Sequence, residues 1–290
     1  MLLLSTLFDI LKRGYQLFHV NVIQKLFSCE KSRVKKSHYV DYNKFLMFGD
    51  SITEFSFDQF PNSSNKIHFS LGAAIQNAYV RKLQVLQRGF SGYTSREAVP
   101  LIKSILKHEH DEVTDSQKIK LAYVFFGTND ARLKGTGVNN QHVPIDTYVA
   151  NMKLIVQEFK KRNIPLVVIT PGLHDQKLWD KTHPEDLITG DYRSNKVNKE
   201  YQDALKYSIH DTPILCLYDE MRDWLSKHSN FEADELLCDG IHFTGTGYKI
   251  VFDALLQIIN ENFPEVSPQN MEYRFPLHAT LDEHTFDHID

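Results

Sequence analysis

Short apolar runs alternate with stretches of helical periodicity along most of this chain. The runs are rich in β-branched and aromatic residues, as is typical of strands buried on both faces. Five of them are predicted to be strands: Lys44–Phe48, Lys82–Leu86, Leu121–Phe126, Leu166–Thr170 and Ile214–Tyr218. Helices are predicted at Gly72–Arg81, Thr94–His108, Ile145–Arg162, Asn195–His210 and about Thr246–Phe263. This alternation predicts an α/β protein with about five parallel strands, covered by helices on both sides.

One domain accounts for most of the chain. We predict that it spans residues 41–265, between an N-terminal extension (1–40) and a polar tail (266–290). Pro100 lies inside the second helical stretch, so that helix is expected to begin near it or to be kinked there. Aromatic residues in the tail suggest that it wraps the domain or a second subunit, and a homodimer formed through the tail is a hypothesis.

The first 36 residues are basic, with seven Lys or Arg residues against Asp9 and Glu30. Such a leader is typical of an organelle transit peptide, but an amphipathic surface helix or an incorrectly assigned start of the coding sequence would also explain it. The expected location is the cytoplasm, or the mitochondrion if the extension is a transit peptide.

The overall composition narrows the choice of partners. The chain is 42% apolar and 24% charged, as expected of a globular protein, and its net charge of −4 gives no electrostatic reason to expect nucleic acid. After residue 40 no apolar run approaches the roughly 18 residues of a membrane span, so no stable membrane insertion is expected. Three scattered cysteines favour a reducing compartment.

Polar and glycine residues follow the predicted strands at positions that bring them together. Ser51 follows the first strand, Gly89 and Gly92 follow the second, and Gly127–Asp130 follows the third, while Asp239–His242 precedes the last helix. Ligands of open α/β sheets bind beyond the carboxyl ends of the strands. The sequence therefore predicts that these residues share one edge of the sheet.

The residue types at that edge are those of a serine hydrolase. Ser51 would attack a carbonyl carbon, His242 would act as general base and then general acid, and Asp239 would orient the imidazole. The negative oxygen of the tetrahedral intermediate needs hydrogen-bond donors, which we assign to the backbone N–H groups of Ser51 and Gly92 and to the side-chain amide of Asn129.

Simpler explanations exist for each residue taken alone. Ser51 is also a plausible helix N-cap, His242 a loop histidine, and Asn129 and Gly92 ordinary turn residues. All four would have to coincide in one order at one edge, which favours the catalytic interpretation.

A metal site is not predicted. Asp50 and Asp130 lie at the same edge, but neither further carboxylates nor a phosphate-binding loop accompany them in the sequence. The segment His108–Glu112 is interpreted as the solvated end of a helix. We expect neither a metal nor an organic cofactor.

The ordered blocks Gly49–Ser51, Gly92, Gly127–Asp130 and Asp239–His242 resemble those of the GDSL, or SGNH, hydrolase family. The resemblance implies a flavodoxin-like three-layer α/β/α fold and assigns the family's serine, glycine, asparagine and histidine to Ser51, Gly92, Asn129 and His242, with Asp239 completing the triad. The second block departs from the family pattern, because Gln87-Arg88 stands where an asparagine is often found. Gly89 is therefore an alternative to Gly92 as oxyanion donor.

Residues 41–275 are similar to one branch of that family, the fungal isoamyl acetate-hydrolysing esterases. The shared motifs are Phe48–Phe55, Gln87–Arg96, Pro171–Leu173, Asp239–Phe243, Gly247–Lys249 and Pro268–Met271. The likeness implies a serine carboxylesterase that cleaves short acyl esters, above all acetates, of medium-sized alcohols such as isoamyl alcohol. Lysophospholipids, acyl thioesters and acetylated sugars are alternative substrates, and a non-catalytic binding protein is the alternative class. Phe55, Phe90, Tyr93 and Trp179 are candidates to line the alcohol side, and core packing is the expected role for at least half of them.

Overall fold

Five parallel strands form the centre of the protein. The computed structural model describes residues 40–61, 66–137 and 141–285, so the predictions for the extension lie outside the described residues, apart from Val40. The strands are β1 (Lys44–Gly49), β2 (Gln84–Gly89), β3 (Ile119–Phe125), β4 (Leu166–Ile169) and β5 (Ile214–Leu215). Their order in the sheet is β2-β1-β3-β4-β5, and every pair is parallel. This is the flavodoxin-like order, whose switch point lies between β1 and β3.

The helices begin and end close to the predicted positions where their periodicity is strong. They are α1 (Ser51–Glu54), α2 (Leu71–Ala78), α3 (Ser95–Leu106), α4 (Ile145–Lys160), α5 (Gln176–Thr182), α6 (Pro184–Thr189), α7 (Asn195–Ser208), α8 (Leu217–Lys227) and α9 (Gly245–Asn262). The sequence did not predict α1, α5, α6 or α8. Among the described residues, no helix combines the length and hydropathy needed to cross a membrane.

Alternate residues of the central strands enter two separate cores. Phe45 and Met47 of β1 pack with α2, α8 and α9, whereas Leu46 and Phe48 pack with α3, α4 and α7. All four side chains are fully buried. Since successive strand residues point to opposite faces, an unbroken apolar run produces helices on both sides of the sheet. The predicted three-layer α/β/α fold is confirmed.

The predicted ends of two strands were wrong: β2 was predicted to end at Leu86 but continues to Gly89, and β5 was predicted to end at Tyr218. The fifth strand ends at Leu215, because Leu217 already begins α8 and donates its backbone N–H to Thr170 Oγ1 at 3.0 Å. Helix α3 begins at Ser95, next to the predicted Thr94, because Thr94 and Glu97 form a reciprocal capping box at its N-terminus. The alternative start near Pro100 was wrong, since Pro100 lies inside the helix.

The end of α3 is tied to the sheet and is not simply a solvated terminus. A π-helical turn follows at Lys107–Asp111, and Glu109 within it forms ion pairs with Lys44 of β1 at 2.8 Å and with Arg88 of β2 at 2.5 Å. His108 does face solvent, where it contacts Glu112. The interpretation of this segment as solvated was therefore wrong for Glu109.

The first part of the C-terminal tail packs on its own domain, beside α2 and β2. The buried hydroxyl of Tyr79 donates to the Val266 carbonyl at 2.9 Å, and Lys82 donates to the carbonyl of Pro268. Arg81 donates to the carbonyls of Phe275 and Pro276, both at 2.7 Å. These contacts stabilise the domain in a single chain.

A chain ending at Pro264 is therefore expected to unfold several degrees below the full chain. It removes the carbonyl that accepts the Tyr79 hydroxyl and takes the buried Val266 side chain out of the core. Removing one partner of a buried hydrogen bond alone costs about 1–3 kcal/mol. Tm is the measurement, and a chain ending at Leu277, which keeps all four contacts, is the control. Equal Tm values for the two shortened chains would contradict the prediction.

Candidate active site

Ser51 lies at the first turn after β1. Gly49 ends the strand, and a Cβ atom there would lie 2.7 Å from the Phe125 carbonyl, so only glycine fits this close approach. Asp50 then caps α1 by accepting the backbone N–H of Ile52 at 3.0 Å. Ser51 is thus the first residue of a helix, where backbone N–H groups have no partner within the helix.

The predicted triad is assembled. His242 Nε2 lies 2.8 Å from Ser51 Oγ, and His242 Nδ1 lies 2.6 Å from Asp239 Oδ2. Asp239 Oδ1 accepts the backbone N–H groups of Ile241 at 3.0 Å and of His242 at 2.8 Å. Burial disfavours the charged carboxylate, but these hydrogen bonds and the imidazole outweigh it and lower the pKa of Asp239 to about 2. Asp239 is therefore an anionic acceptor at neutral pH.

Hydrogen bonds from the segment His174–Asp175 hold the loop that carries Asp239 and His242. The carbonyl of Gly240 accepts the backbone N–H of Asp175 and the ring Nδ1–H of His174, both at 2.9 Å. Burial and the charge of Arg193 lower the pKa of His174 to about 4, so its imidazole is neutral. Gly240 has φ +103°, and a Cβ atom there would lie 2.5 Å from the Asp175 carbonyl.

The predicted oxyanion donors surround one cavity of about 380 Å³. Ser51, Gly92 and Asn129 all line it, together with His242. Asn129 Nδ2 donates one N–H to the Tyr93 carbonyl at 2.9 Å, which leaves its second N–H for another acceptor. A nucleophile, a base and amide donors therefore face the same space, as acyl transfer requires.

Gly92 and Gly89 have different surroundings. Gly92 has φ +77° and lines the cavity. Gly89 is the last residue of β2, and a Cβ atom there would lie 2.1 Å from the backbone nitrogen of Glu54. Gly89 thus serves the close packing of β2 against α1, and the geometry favours Gly92 as the donor.

Comparison with known proteins agrees with this geometry. The profile of the GDSL-like lipase/acylhydrolase family matches residues 45–255. The chain belongs to this family. It is 38% identical to the isoamyl acetate-hydrolyzing esterase of Saccharomyces cerevisiae, over 81% of this chain and 93% of that protein. It is 32% identical to the human isoamyl acetate-hydrolyzing esterase 1 homolog, over 75% of this chain and 82% of that protein.

Solved structures show the same fold. A variant of an acetyl-xylooligosaccharide esterase from Geobacillus superposes with a TM-score of 0.52 at 19% identity, covering 78% of this chain and 98% of that one. The predictions of a GDSL family member and of a serine ester hydrolase are confirmed.

Most of the residues that line the cavity of this GDSL protein carry polar side chains. Beyond the predicted residues it is lined by Phe55, Ser91, Arg132, Gln141, Trp179, His183, Glu185, Asp186, Arg193 and Ile241. Arg132 forms a buried ion pair with Asp186, whose other oxygen accepts Trp179 Nε1–H at 2.9 Å. Apart from Phe55 and Trp179, the sequence did not predict these residues, because α5 and α6, which carry several of them, have no clear periodicity.

Two of the four expected aromatic residues contact this space. Phe55 and Trp179 line the cavity, and the Phe55 ring lies 5.3 Å from the His242 ring. Phe90 instead packs edge-on against Phe48, and Tyr93 stacks on Phe90. Phe90 and Tyr93 therefore do not line the cavity that contains Ser51, and Phe90 packs against the core, the role expected for part of this set.

Asp130, the residue after Asn129, fixes the backbone beside the site. It is fully buried and accepts the backbone N–H of Ser95 at 3.0 Å, which joins the end of β3 to the start of α3. Burial raises the pKa of Asp130 to about 7 and that of Asp50 to about 6. No group of three His, Cys, Asp or Glu residues in the described part of the chain is arranged to hold a metal ion.

Stability is therefore expected to depend on the charge of Asp130. Between the usual pKa of 3.8 and the raised value of about 7, the folded protein keeps a proton that the unfolded chain has released. The free energy of unfolding falls as the pH rises through this window, by at most about 4 kcal/mol for a shift of about three units. Asp130→Asn cannot ionise, so its Tm minus that of the wild type should increase from pH 4 to pH 8.

Tm measured across this pH range tests the prediction. Asp50 contributes a dependence of the same sign in both proteins, so most of its contribution cancels in the difference. The control is Asp211→Asn, which changes an exposed carboxylate paired with Lys160. A constant difference for Asp130→Asn would contradict the assigned burial effect.

Proposed function

We propose that this protein hydrolyses short-chain carboxylic esters, acetate esters above all, through an acyl-enzyme formed on Ser51. The observation that carries the proposal is the continuous chain of hydrogen bonds from Asp239 through His242 to Ser51, at 2.6 and 2.8 Å. The name of the yeast relative supports the acetate ester and its alcohol, isoamyl alcohol.

In the acylation step Ser51 Oγ bonds to the carbonyl carbon while its proton passes to His242 Nε2. The carbonyl oxygen becomes an oxyanion, which accepts hydrogen bonds from Ser51 N–H, Gly92 N–H and the Asn129 amide. When the ester C–O bond breaks, the alkoxide leaves with the proton from His242.

Deacylation repeats these steps with water in place of the serine. His242 takes a proton from water, the resulting nucleophile attacks the acyl carbon, and Ser51 regains its proton as the acid departs. Asp239 stays anionic throughout and stabilises the imidazolium.

The substrate range is tested with a series of esters that differ in one part only. With p-nitrophenyl acetate, butyrate and octanoate we expect kcat/KM to be highest for acetate, and isoamyl acetate should release acetic acid. A maximum at octanoate would instead indicate a lipase, and acyl thioesters and lysophospholipids complete the series.

A second substrate class is favoured by one observation, the polar side chains among the residues that line the cavity. Arg132, Gln141 and Glu185 line the space beside Ser51 and present groups that hydrogen-bond hydroxyls. Acetylated sugars would use them. A kcat/KM for an acetylated xyloside well above that for isoamyl acetate would establish this alternative.

A further inference from the structure

Arg193 is a buried cation beside the proposed oxyanion donors. The residue is 5% exposed and lines the cavity that contains Ser51. Among the residues that the structure describes, its guanidinium hydrogen-bonds only to neutral acceptors: the Thr128 carbonyl at 2.5 Å, Asn129 Oδ1 at 3.3 Å and Gln141 Oε1 at 3.4 Å. It also lies over the Trp179 ring at 5.2 Å.

Such an arrangement costs stability, because a buried charge is expensive when no opposite charge pairs with it directly. The neighbouring Arg132 is different, since it forms an ion pair with Asp186. Arg193 donates instead to the Thr128 carbonyl and to Asn129 Oδ1. These contacts indicate that its buried charge serves the oxyanion donors and not an ion pair.

The two hydrogen bonds of the Asn129 side chain fix its orientation. Oδ1 accepts from Arg193, and Nδ2 donates to the Tyr93 carbonyl. A guanidinium has donors only, so a flipped amide would set NH2 against N–H at Arg193 and oxygen against oxygen at Tyr93. Only one orientation satisfies both neighbours, and it keeps Nδ2 at the proposed oxyanion position.

We propose that Arg193 is a positioning residue for the oxyanion hole, which holds the Asn129 amide with its N–H donors toward the reacting carbonyl oxygen. The proposal rests on the proposed function. The charge of Arg193 also polarises the Asn129 amide through Oδ1. This strengthens the hydrogen bond from Nδ2 to the carbonyl oxygen of the substrate as negative charge develops there. The effect belongs to the transition state, so it should appear in kcat and leave KM nearly unchanged.

A double-mutant cycle on p-nitrophenyl acetate tests this. We expect Arg193→Met to lower kcat by about 10- to 100-fold and Asn129→Ala by about 10²–10³-fold. Because Arg193 acts through Asn129, the double variant should be no slower than Asn129→Ala within about threefold. Arg193→Lys should lie between Arg193→Met and the wild type, since a single ammonium cannot hold both oxygens as the planar fork does.

Arg162→Met is the matched control. Arg162 is also a largely buried arginine, but it pairs with Asp111 and Glu158 at the opposite edge of the sheet. Its removal should lower Tm without changing kcat. If Arg193→Met does not fold, the cycle is run with Arg193→Lys.

Three results would overturn the proposal: wild-type kcat in Arg193→Met, effects of Arg193 and Asn129 that multiply, or a change confined to KM. Failure of the proposed function looks different, because hydrolysis by the wild type would then be absent or would persist in Ser51→Ala. If only the Arg193 proposal fails, the wild type still hydrolyses the ester and Ser51→Ala does not.

Discussion

Replacing Ser51 with alanine is expected to lower kcat for p-nitrophenyl acetate by about 10³-fold or more. The hydroxyl lies 2.8 Å from His242 Nε2 and at the wall of the cavity with Gly92 and Asn129, so no other described group occupies its place. The fold should persist, because the helix is capped by the neighbouring Asp50. The measurement is initial-rate hydrolysis by purified variant and wild type, with Tm as a check on folding.

A fluorophosphonate probe gives a second measurement of the same prediction. Wild-type protein should be labelled once per chain, and Ser51→Ala should not be labelled. Ser91→Ala is the matched control, since Ser91 also lines the cavity but hydrogen-bonds Glu54 at 2.7 Å instead of a histidine. Labelling of the wild type and Ser51→Ala to the same extent would remove Ser51 from the mechanism.

The sequence predicted the edge of the sheet well because the signals there are local. Asp50 and Ser51 directly follow β1, whose residues Phe45–Phe48 are all apolar, and Gly127–Asp130 follows the apolar end of β3 after one further residue, Phe126. Parallel strands bring their carboxyl ends to one edge of the sheet, so residues that follow different strands can be inferred to be neighbours in space. This reasoning placed Ser51, Asn129 and His242 within one cavity.

The rest of the site depends on contacts that no local pattern records. Arg193 reaches the Thr128 carbonyl 65 residues earlier, and nothing in the segment Asp191–Ser194 distinguishes it from an ordinary loop. The short helices α5 and α6 were missed for a different reason. Each has too few turns to establish a helical period in the sequence. The choice between Gly89 and Gly92 required the packing of Glu54, which spacing alone does not show.

Asp239→Asn is expected to lower kcat by about 10³–10⁴-fold while leaving the fold intact. The reason lies in the two oxygens of the carboxylate. Oδ1 accepts two backbone N–H groups, of Ile241 and His242, so an oxygen must remain there. The amide NH2 of asparagine is then directed at His242 Nδ1.

Because the asparagine NH2 is a donor, Nδ1 of His242 has to accept and is therefore the unprotonated nitrogen. The proton of the neutral ring then lies on Nε2. Nε2–H points at Ser51 and cannot take its proton, so the base is present in the right place but in the wrong tautomer. His242→Ala is the matched control, because it removes the base outright and should be about as slow. A loss below tenfold in Asp239→Asn, measured as kcat at neutral pH, would mean that Asp239 acts only as a loop cap and that the orientation of His242 is set elsewhere.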